Sequence, residues 1–251
     1  MKSIKSCLNR IMYVIHIQMS ERKYNRLKYI LKKCPESNIL VVVFSGFPGN
    51  TKAKYNYMRT LKGLNCNKLF LLDDFGYKKR GAYYLGEDGD FYVQDLVREL
   101  VLKIKDELNI NCIITAGSSK GGTSAIYHGL RVSADAIIAG APQYFIGDYL
   151  NTDSHQNILK GIVGADVELL NGIVKKEIQN YDAQKPKIYL HYSRKEHTYS
   201  EHISDLISDM EKNNFEVMCD ESDYEEHSEV AKFFPTFLIN TINSIIEKSK
   251  E

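Results

Sequence analysis

The chain has 251 residues, long enough to bury one substantial core, and we expect a single domain spanning residues 1–251. Its 33 lysines and arginines almost balance its 32 aspartates and glutamates. This balance gives no support for a nucleic-acid partner or for attraction to a membrane surface. The sequence contains no run of eighteen apolar residues and therefore predicts no integral membrane segment.

The cysteines and the N-terminal stretch bear on the cellular compartment. The five cysteines form no C-x-x-C pair and lie mostly in or beside apolar runs, which is typical of reduced cysteines in a cytosolic protein. The N-terminus has a basic start and an apolar run, but polar residues interrupt the run and no small-x-small cleavage site follows. We therefore expect a cytoplasmic protein rather than an exported one.

Strand and helix patterns alternate through the first half of the chain. Residues 12–18 look like a strand, whereas residues 24–33 fit either a strand or a helix. Apolar runs predict strands at 39–44 and 68–72, and helical spacing predicts a helix at 91–108. This alternation predicts an α/β fold with a mostly parallel sheet and helices on both faces.

The second half continues the alternation with one interruption. The patterns predict a strand at 112–115, a helix through Leu130, a strand at 136–139, strands at 187–191 and 215–218, and a helix at 230–248. Two helices rich in leucine and isoleucine, at about 151–182, replace the expected return to the sheet. We interpret them as a small helical cap inserted over the sheet edge.

The sharpest motif lies between the strand at 112–115 and the helix that follows it. Gly117-Ser118-Ser119-Lys120-Gly121 has the G-x-S-x-G pattern of a nucleophile elbow. Its glycines permit the strained turn that presents the serine hydroxyl above the sheet, at a helix N-terminus. The amide of Lys120 would point at the oxygen that becomes negative during acyl transfer. The motif predicts an α/β-hydrolase-type fold with Ser119 as the nucleophile.

The same turn has a second interpretation, because glycine-rich turns between a strand and a helix also bind phosphates. Lys120 makes the stretch faintly similar to a P-loop, but the spacing differs from G-x-x-x-x-G-K-[ST]. A phosphate-binding or phosphotransfer role for Lys120 is therefore our lowest-ranked hypothesis.

A serine nucleophile needs a general base that is oriented by a carboxylate. In α/β-hydrolases these partners follow the serine in the order acid, then histidine, each after a late strand. Glu196 follows the strand at 187–191, and His227 follows the strand at 215–218. The order predicts Ser119, Glu196 and His227 as a catalytic triad.

Other residues compete for the two partner roles. His197 is the rival base, although its adjacency to Glu196 would make a hydrogen bond between the two side chains awkward. Asp223, Glu225 and Glu226 are alternative acids, and they also fit a solvated loop.

The remaining candidates lie on loops at the same predicted edge of the sheet. A second oxyanion donor is expected after the strand at 39–44, where Pro48 has no amide hydrogen, so Phe47 is the expected donor and Gly46 the alternative.

Three residues follow the next strand and either contact a polar substrate or are ordinary loop residues: Asp74, Arg80 and Tyr84. Histidines and acidic residues show no metal-ligand spacing, so we expect no metal and no cofactor.

Several segments are similar to those of one known family. They are V-V-V-F-S-G-F, L-L-D-D-F-G, Tyr83-Tyr84-Leu-Gly, G-S-S-K-G-G and Gly140-Ala-Pro-Gln-Tyr-Phe-Ile-Gly147. Through them, residues 38–245 resemble the XcbB/CpsF family of capsular polysaccharide biosynthesis proteins. That family is similar to the accessory Sec system acetyltransferase, an α/β-hydrolase-like protein that modifies sugars on exported glycoproteins through a serine, glutamate and histidine triad. Many hydrolases have aspartate where this chain has Glu196, so the loop geometry must compensate for the longer side chain.

The resemblance implies a bacterial, intracellular enzyme that acts on a glycan or a glycan precursor. Combined with the motifs, it predicts a serine-dependent esterase or acyltransferase whose substrates are a capsular polysaccharide precursor and, for transfer, an acyl donor. The competing hypothesis is a non-catalytic accessory protein with the same fold, whose partners would be capsule-assembly proteins.

Overall fold

The computed structural model of the protein describes residues 17–49 and 51–249. The described chain forms eight strands: β1 (Arg22–Tyr24), β2 (Leu27–Lys32), β3 (Ile39–Val43), β4 (Asn67–Leu72), β5 (Cys112–Ser118), β6 (Ala136–Gly140), β7 (Lys187–Tyr192) and β8 (Val217–Glu221). Its longer helices are α1 (Tyr92–Glu107), α2 (Lys120–Arg131), α3 (Ile146–Leu150), α4 (Gln156–Val163), α5 (Val167–Gln179), α6 (Ser204–Lys212) and α7 (Val230–Lys248). Short turns of 3₁₀-helix cover Tyr77–Lys79 and His227–Glu229, and a π-helical turn covers Tyr199–Ile203.

The strands form one sheet in the order β1-β2-β4-β3-β5-β6-β7-β8. From β4 to β8 every neighbouring pair is parallel, whereas β1 and β2 pair antiparallel at one edge. Every residue of β3 and β4 is buried, as expected for continuous apolar strands covered on both faces. The predicted α/β fold is confirmed.

Helices cover the two faces of this sheet. A Cβ added to Gly129 of α2 would lie 2.8 Å from the side chain of Ile137, and one added to Gly140 would lie 2.5 Å from the ring of Phe234 on α7. Residues 137 and 140 are an odd number of positions apart along β6 and so point to opposite faces. Helices α2 and α7 therefore pack against opposite faces of the sheet.

The structure decides the ambiguous N-terminal region and moves two boundaries. Residues 24–33 contain a strand, β2, whose buried Leu27 and Ile30 are three residues apart and so also fitted a helical pattern. The strand predicted at 12–18 falls mostly outside the described residues, and Ile17 and Gln18 lie in a helical turn.

Strand β5 continues to Ser118, because Gly117 and Ser118 still pair with β6. Strand β8 begins at Val217 instead of 215 and, as an edge strand, has mostly exposed or half-exposed side chains, which weakens its apolar pattern.

The two helices predicted at about 151–182 are present as α4 and α5. Helix α5 packs against α2 and α3 and buries Leu170, Val174 and Ile178. Helix α4 is joined to the loop after β4, because the carbonyls of Gly161 and Ile162 accept hydrogen bonds from the amides at positions 88 and 89. Their role as a cap stays a prediction.

Candidate active site

Ser119 lies at the turn between β5 and α2, with φ 54° and ψ −128°, a backbone conformation that non-glycine residues rarely adopt. Close backbone packing explains the flanking glycines. A Cβ on Gly117 would lie 2.2 Å from the carbonyl oxygen of Gly121, and a Cβ on Gly121 would lie 2.6 Å from that of Phe44. The turn therefore has the strained strand-to-helix geometry that the motif predicts, and it needs both glycines.

The structure brings the three predicted triad residues together. The Nε2 atom of His227 is 2.8 Å from Oγ of Ser119, and its Nδ1 atom is 2.9 Å from Oε1 of Glu196. In the tautomer that suits both contacts, Nδ1–H donates to the carboxylate and Nε2 accepts the serine hydroxyl proton. The result is a continuous hydrogen-bonded chain from a carboxylate through an imidazole to a hydroxyl.

Glu196 is buried, with 1% of its surface exposed, yet its surroundings favour the ionised form. Its Oε2 atom accepts a 2.5 Å hydrogen bond from the Thr198 hydroxyl. Burial is the largest influence on its pKa and raises it, but the hydrogen bonds from His227 and Thr198, with the charge of His227, outweigh burial and lower the pKa. An ionised Glu196 can orient the imidazole of His227 and stabilise it when it is protonated.

His197, the rival base, lies next to Glu196 and His227 but has no hydrogen bond to Ser119. Its Nδ1 atom is 3.5 Å from Oε1 of Glu196, its side chain is 54% exposed, and its ring centre is 6.1 Å from that of His227. Among the described residues, the histidine bonded to the Ser119 hydroxyl is His227.

The alternative acids make other contacts. Asp223 forms an ion pair of 2.6 Å with Lys195 on the surface. Glu226 and Glu229 form a capping box around the turn that begins at His227, and Glu225 is exposed. The structure therefore favours Glu196 as the partner of His227.

The two predicted oxyanion donors belong to different segments: Lys120 directly follows Ser119 at the start of α2, and Phe47 lies in the loop after β3. The amide of Gly46 donates to Oδ1 of Asn56 at 3.3 Å, whereas the amides of Phe47 and Lys120 have no acceptor among the described residues. Phe47 is also held by its ring, which contacts the ring of Tyr83 with a 5.5 Å separation of centroids. Phe47 and Lys120 thus remain the proposed donors, and the Gly46 alternative loses support.

The side chain of Lys120 has a different role from its amide. Its Nζ atom is 2.6 Å from Oδ2 of Asp73, and both side chains are completely buried. Asp73 also accepts hydrogen bonds from the amides of Ala82 and Tyr84. Burial lowers the pKa of Lys120, and Asp73 opposes that effect. An ammonium group enclosed in this way cannot reach a phosphate in solution, so the structure gives no support to a phosphate-binding role for the Lys120 side chain.

The structure gives no support to a substrate contact at two of these three loop residues. Tyr84 is completely buried, and its hydroxyl accepts a hydrogen bond from the Ser45 amide at 2.8 Å and donates to the Leu71 carbonyl at 2.9 Å. It supports the loop after β3 and is enclosed by protein. Asp74 forms an ion pair of 2.6 Å with Lys28 on β2, on the antiparallel side of the sheet.

Arg80, the third of these residues, lies near a cleft beside the triad. The cleft has a volume of about 670 Å³ and is lined by Asp148, Tyr149, Thr152, Ser154, His155, His197, Glu201 and His202. Burial lowers the pKa of His155, and the nearby charge of Arg80 lowers it further. Because His197 lines the cleft and also contacts Glu196, the cleft adjoins the triad.

The cleft combines aromatic and polar side chains. The rings of Tyr149 and His155 stack with centroids 5.3 Å apart, while Asp148 and Glu201 add carboxylates. His202 is buried, and burial lowers its pKa to about 4, so it is neutral near pH 7. Stacked rings beside hydrogen-bonding groups suit a ligand that has both an apolar face and many hydroxyls.

Sequence reasoning missed three residues around Ser119. Gln143 donates from Nε2 to Oγ of Ser119 at 2.8 Å, Thr198 supports Glu196, and Tyr57 is 2.5 Å from Oγ of the neighbouring Ser118. Gln143 had a signal, because it follows the end of β6 at the same edge of the sheet as the other candidates. Tyr57 lies in a loop and Thr198 in the helical turn that precedes Tyr199–Ile203, and no local pattern predicts where either segment runs.

Two further observations concern the described residues as a whole. They contain no group of three or more histidine, cysteine, aspartate or glutamate side chains placed to hold a metal ion. None of their helices is long and apolar enough to cross a membrane.

Together, the eight-stranded, mostly parallel sheet, the elbow and the positions of the site residues at strand ends define an α/β-hydrolase-type fold. No family model matches the chain, and no curated protein matches its sequence.

Solved structures do match. The capsule O-acetyltransferase of Neisseria meningitidis serogroup A superposes with a TM-score of 0.72 at 21% identity, covering 89% of this chain and 94% of that one. A mutant of that enzyme in complex with CoA gives a TM-score of 0.70 at 21% identity, covering 88% and 94%.

Two more distant structures have the same fold. The Glycosylation Associate Protein (Gap123) complex from Streptococcus agalactiae gives a TM-score of 0.67 at 19% identity, covering 89% of this chain but 46% of that one. FphF, a fluorophosphonate-binding serine hydrolase of Staphylococcus aureus, gives 0.59 at 12% identity, covering 88% and 91%.

Proposed function

We propose that the protein is a serine-dependent acyltransferase that transfers an acetyl group to a hydroxyl of a glycan or capsular polysaccharide precursor. The observation that carries the proposal is the hydrogen-bonded chain from Glu196 through His227 to Ser119, at 2.9 and 2.8 Å. A neutral serine hydroxyl becomes an effective nucleophile when an oriented imidazole accepts its proton. The buried carboxylate supplies that orientation.

The first half of the reaction acylates the enzyme. Oγ of Ser119 attacks the acyl carbonyl carbon while its proton passes to Nε2 of His227. The amides of Lys120 and Phe47 stabilise the oxyanion that forms. When this intermediate collapses, the bond to the leaving group breaks, and the leaving group takes the proton from His227. Glu196 stabilises the imidazolium between these two steps.

The second half of the reaction regenerates the free hydroxyl of Ser119. A sugar hydroxyl attacks the acyl-serine and gives its proton to His227, and Oγ of Ser119 leaves and recovers that proton. A water molecule in place of the sugar would give hydrolysis by the same steps. Transfer is supported by the cleft beside His197, because its stacked Tyr149 and His155 and its carboxylates suit a saccharide.

The comparisons support the choice of substrates. The neighbour that is a capsule O-acetyltransferase and its complex with CoA favour acetyl-CoA as the donor and a capsule-type glycan as the acceptor. The match to the Gap123 complex favours protein partners of a glycan-modifying assembly. The likeness of the sequence to the XcbB/CpsF family agrees with the same substrate class.

The nucleophile is tested with a fluorophosphonate probe, which forms a covalent bond with activated serines. We expect wild-type protein to be labelled and Ser119→Ala to be unlabelled. The control is Ser228→Ala, which removes an exposed hydroxyl next to His227 and should leave labelling unchanged. Absence of labelling in folded wild-type protein would contradict the enzymatic proposal and favour the accessory role.

Transfer is separated from hydrolysis by a second measurement. Wild-type protein is incubated with acetyl-CoA, with and without bacterial capsular oligosaccharides, and free CoA and acetylated sugar are quantified. We expect CoA release to depend on the sugar and to be matched by sugar acetylation. Release at the same rate without sugar would identify the protein as a hydrolase.

A further inference from the structure

We infer that Gln143 is a further catalytic residue, which holds the Ser119 hydroxyl so that its proton points at His227. This inference rests on the proposed function, because it concerns the same nucleophile. No motif for acyl transfer assigns a role to Gln143. Its segment, Gly140 to Gly147, was notable in the sequence for its family likeness alone.

The contact between the two side chains has one direction. Nε2 of Gln143 is 2.8 Å from Oγ of Ser119, and an amide nitrogen can only donate. Oγ therefore accepts this bond with one lone pair, and its own proton stays available for Nε2 of His227, also at 2.8 Å. Two hydrogen bonds of opposite sense thus fix the hydroxyl in the orientation that general-base catalysis requires.

The opposite end of the amide fixes its orientation. Oε1 of Gln143 is 3.4 Å from the hydroxyl of Tyr83, which donates to it. Thr123 holds the main chain, since its Oγ1 accepts from the Gln143 amide at 2.8 Å and donates to the Gln143 carbonyl at 2.9 Å. A flipped amide would turn its oxygen toward Ser119, where it would compete with His227 for the hydroxyl proton.

Tyr83 is itself held in place by its surroundings, which enforce an unusual backbone conformation and bury its side chain. Tyr83 and Tyr84 have φ of 54° and 55°, values that bulky residues adopt only where their surroundings enforce them. Asp73 enforces them here by accepting from the Tyr84 amide and pairing with Lys120. Tyr83 is 1% exposed, so its hydroxyl has little freedom to leave Gln143.

The position of Gln143 separates its role from that of the oxyanion donors. It follows β6, whereas Phe47 follows β3, and these strands flank β5 on opposite sides. Gln143 therefore approaches Ser119 from the side of Glu196 and His227. From that side it contacts the nucleophilic oxygen, whereas the proposed oxyanion donor Phe47 follows β3 on the other side of β5.

The test compares the rate of fluorophosphonate labelling between pH 5 and pH 9 in variants of similar volume. Gln143→Met keeps the size of the side chain and removes the donor, and we expect labelling to slow about tenfold or more, as loss of one hydrogen bond predicts. Gln143→Glu places a carboxylate beside the site. It should slow labelling further and move the acid limb of the profile up by about one pH unit, because a nearby negative charge stabilises the imidazolium.

Tyr83→Phe gives an independent test of the inference if the Gln143 variants fold poorly. It removes the hydroxyl that orients the amide, and we expect labelling to slow about threefold to tenfold while the Ser119 environment stays packed. Tyr127→Phe is the matched control, since that largely buried hydroxyl binds Gln94 on α1 instead of Gln143. It should label at the wild-type rate.

The outcomes distinguish this inference from the proposed function. Folded wild-type protein without labelling would overturn the proposed function and the inference with it. If wild-type protein is labelled, and Gln143→Met and Tyr83→Phe are labelled at the same rate and with the same pH profile, the inference about Gln143 is overturned and the proposed function stands. Slower labelling of these variants, with the shifted profile of Gln143→Glu, would support it.

Discussion

Replacing Lys120 by methionine tests the buried ion pair beneath the elbow. The substitution keeps most of the side-chain volume but removes the ammonium group that lies 2.6 Å from Asp73, where neither side chain is exposed. The carboxylate of Asp73 then stays buried without a counter-charge. Burying an unpaired charge is among the most costly changes in a folded protein.

The magnitude follows from what Asp73 loses and keeps. Breaking a buried pair by removing one partner costs about 3–5 kcal/mol of unfolding free energy. Asp73 keeps its hydrogen bonds from the amides of Ala82 and Tyr84, so we expect the lower end, about 3 kcal/mol. For a chain of this size, 1 kcal/mol corresponds to about 2–4 °C, which predicts a fall in Tm of roughly 6–12 °C.

Urea unfolding followed by circular dichroism measures the loss. The double variant Lys120→Met with Asp73→Asn also removes the unpaired buried charge of Asp73, so it should recover part of the lost free energy of unfolding. Lys103→Met is the control, because the exposed Lys103 is 3.8 Å from Glu107 and should change stability by no more than about 0.5 kcal/mol. A loss below about 1 kcal/mol in Lys120→Met would refute the reasoning that the charge of Lys120 is needed for Asp73 to be buried.

Two further predictions concern the site. Glu196→Gln keeps the shape of the side chain but removes the negative charge that stabilises the imidazolium. Fluorophosphonate labelling should therefore slow by roughly 10²–10⁴-fold, with an unchanged circular dichroism spectrum. A loss below about threefold would exclude Glu196 as the acid. Burial lowers the pKa of His202 to about 4, below the usual value for a histidine in an unfolded chain. Between about pH 6.5 and pH 4 the unfolded state therefore binds more protons than the folded state, and the free energy of unfolding falls as the pH falls. Urea unfolding should show a dependence of up to about 1.4 kcal/mol per pH unit in that window, weaker in His202→Asn, and an unchanged dependence in this variant would contradict the assignment.

Much of the fold could be predicted from sequence because its signals are local. A fully buried parallel strand needs a continuous apolar run, as in β3, and such runs are visible without tertiary information. Strand β2, which lies next to one edge of the sheet, and strand β8, at the other edge, were harder to predict. Half-exposed positions in each dilute the apolar pattern, so β2 also fitted a helix and β8 was placed two residues early.

The site divides in the same way. Ser119, Glu196 and His227 could be proposed because each follows a strand, and parallel strands end at one edge of the sheet. That argument places backbones at an edge and does not give the direction of a side chain. For this reason the sequence left open whether Tyr84 and Asp74 contact a substrate; both follow β4, but Tyr84 is buried and Asp74 pairs with Lys28.

The sequence by itself determined the alternation of strands and helices, the glycine turn around Ser119 and the chain order of the acid and the histidine. These features depend on local steric demands and on the spacing of apolar residues. The tertiary structure decided which atoms meet: that Nε2 of His227 and Nε2 of Gln143 both lie 2.8 Å from Oγ of Ser119, and that the ammonium of Lys120 is enclosed with Asp73. Such contacts join residues 24 to 108 positions apart, and their distances depend on how the whole sheet and its loops pack.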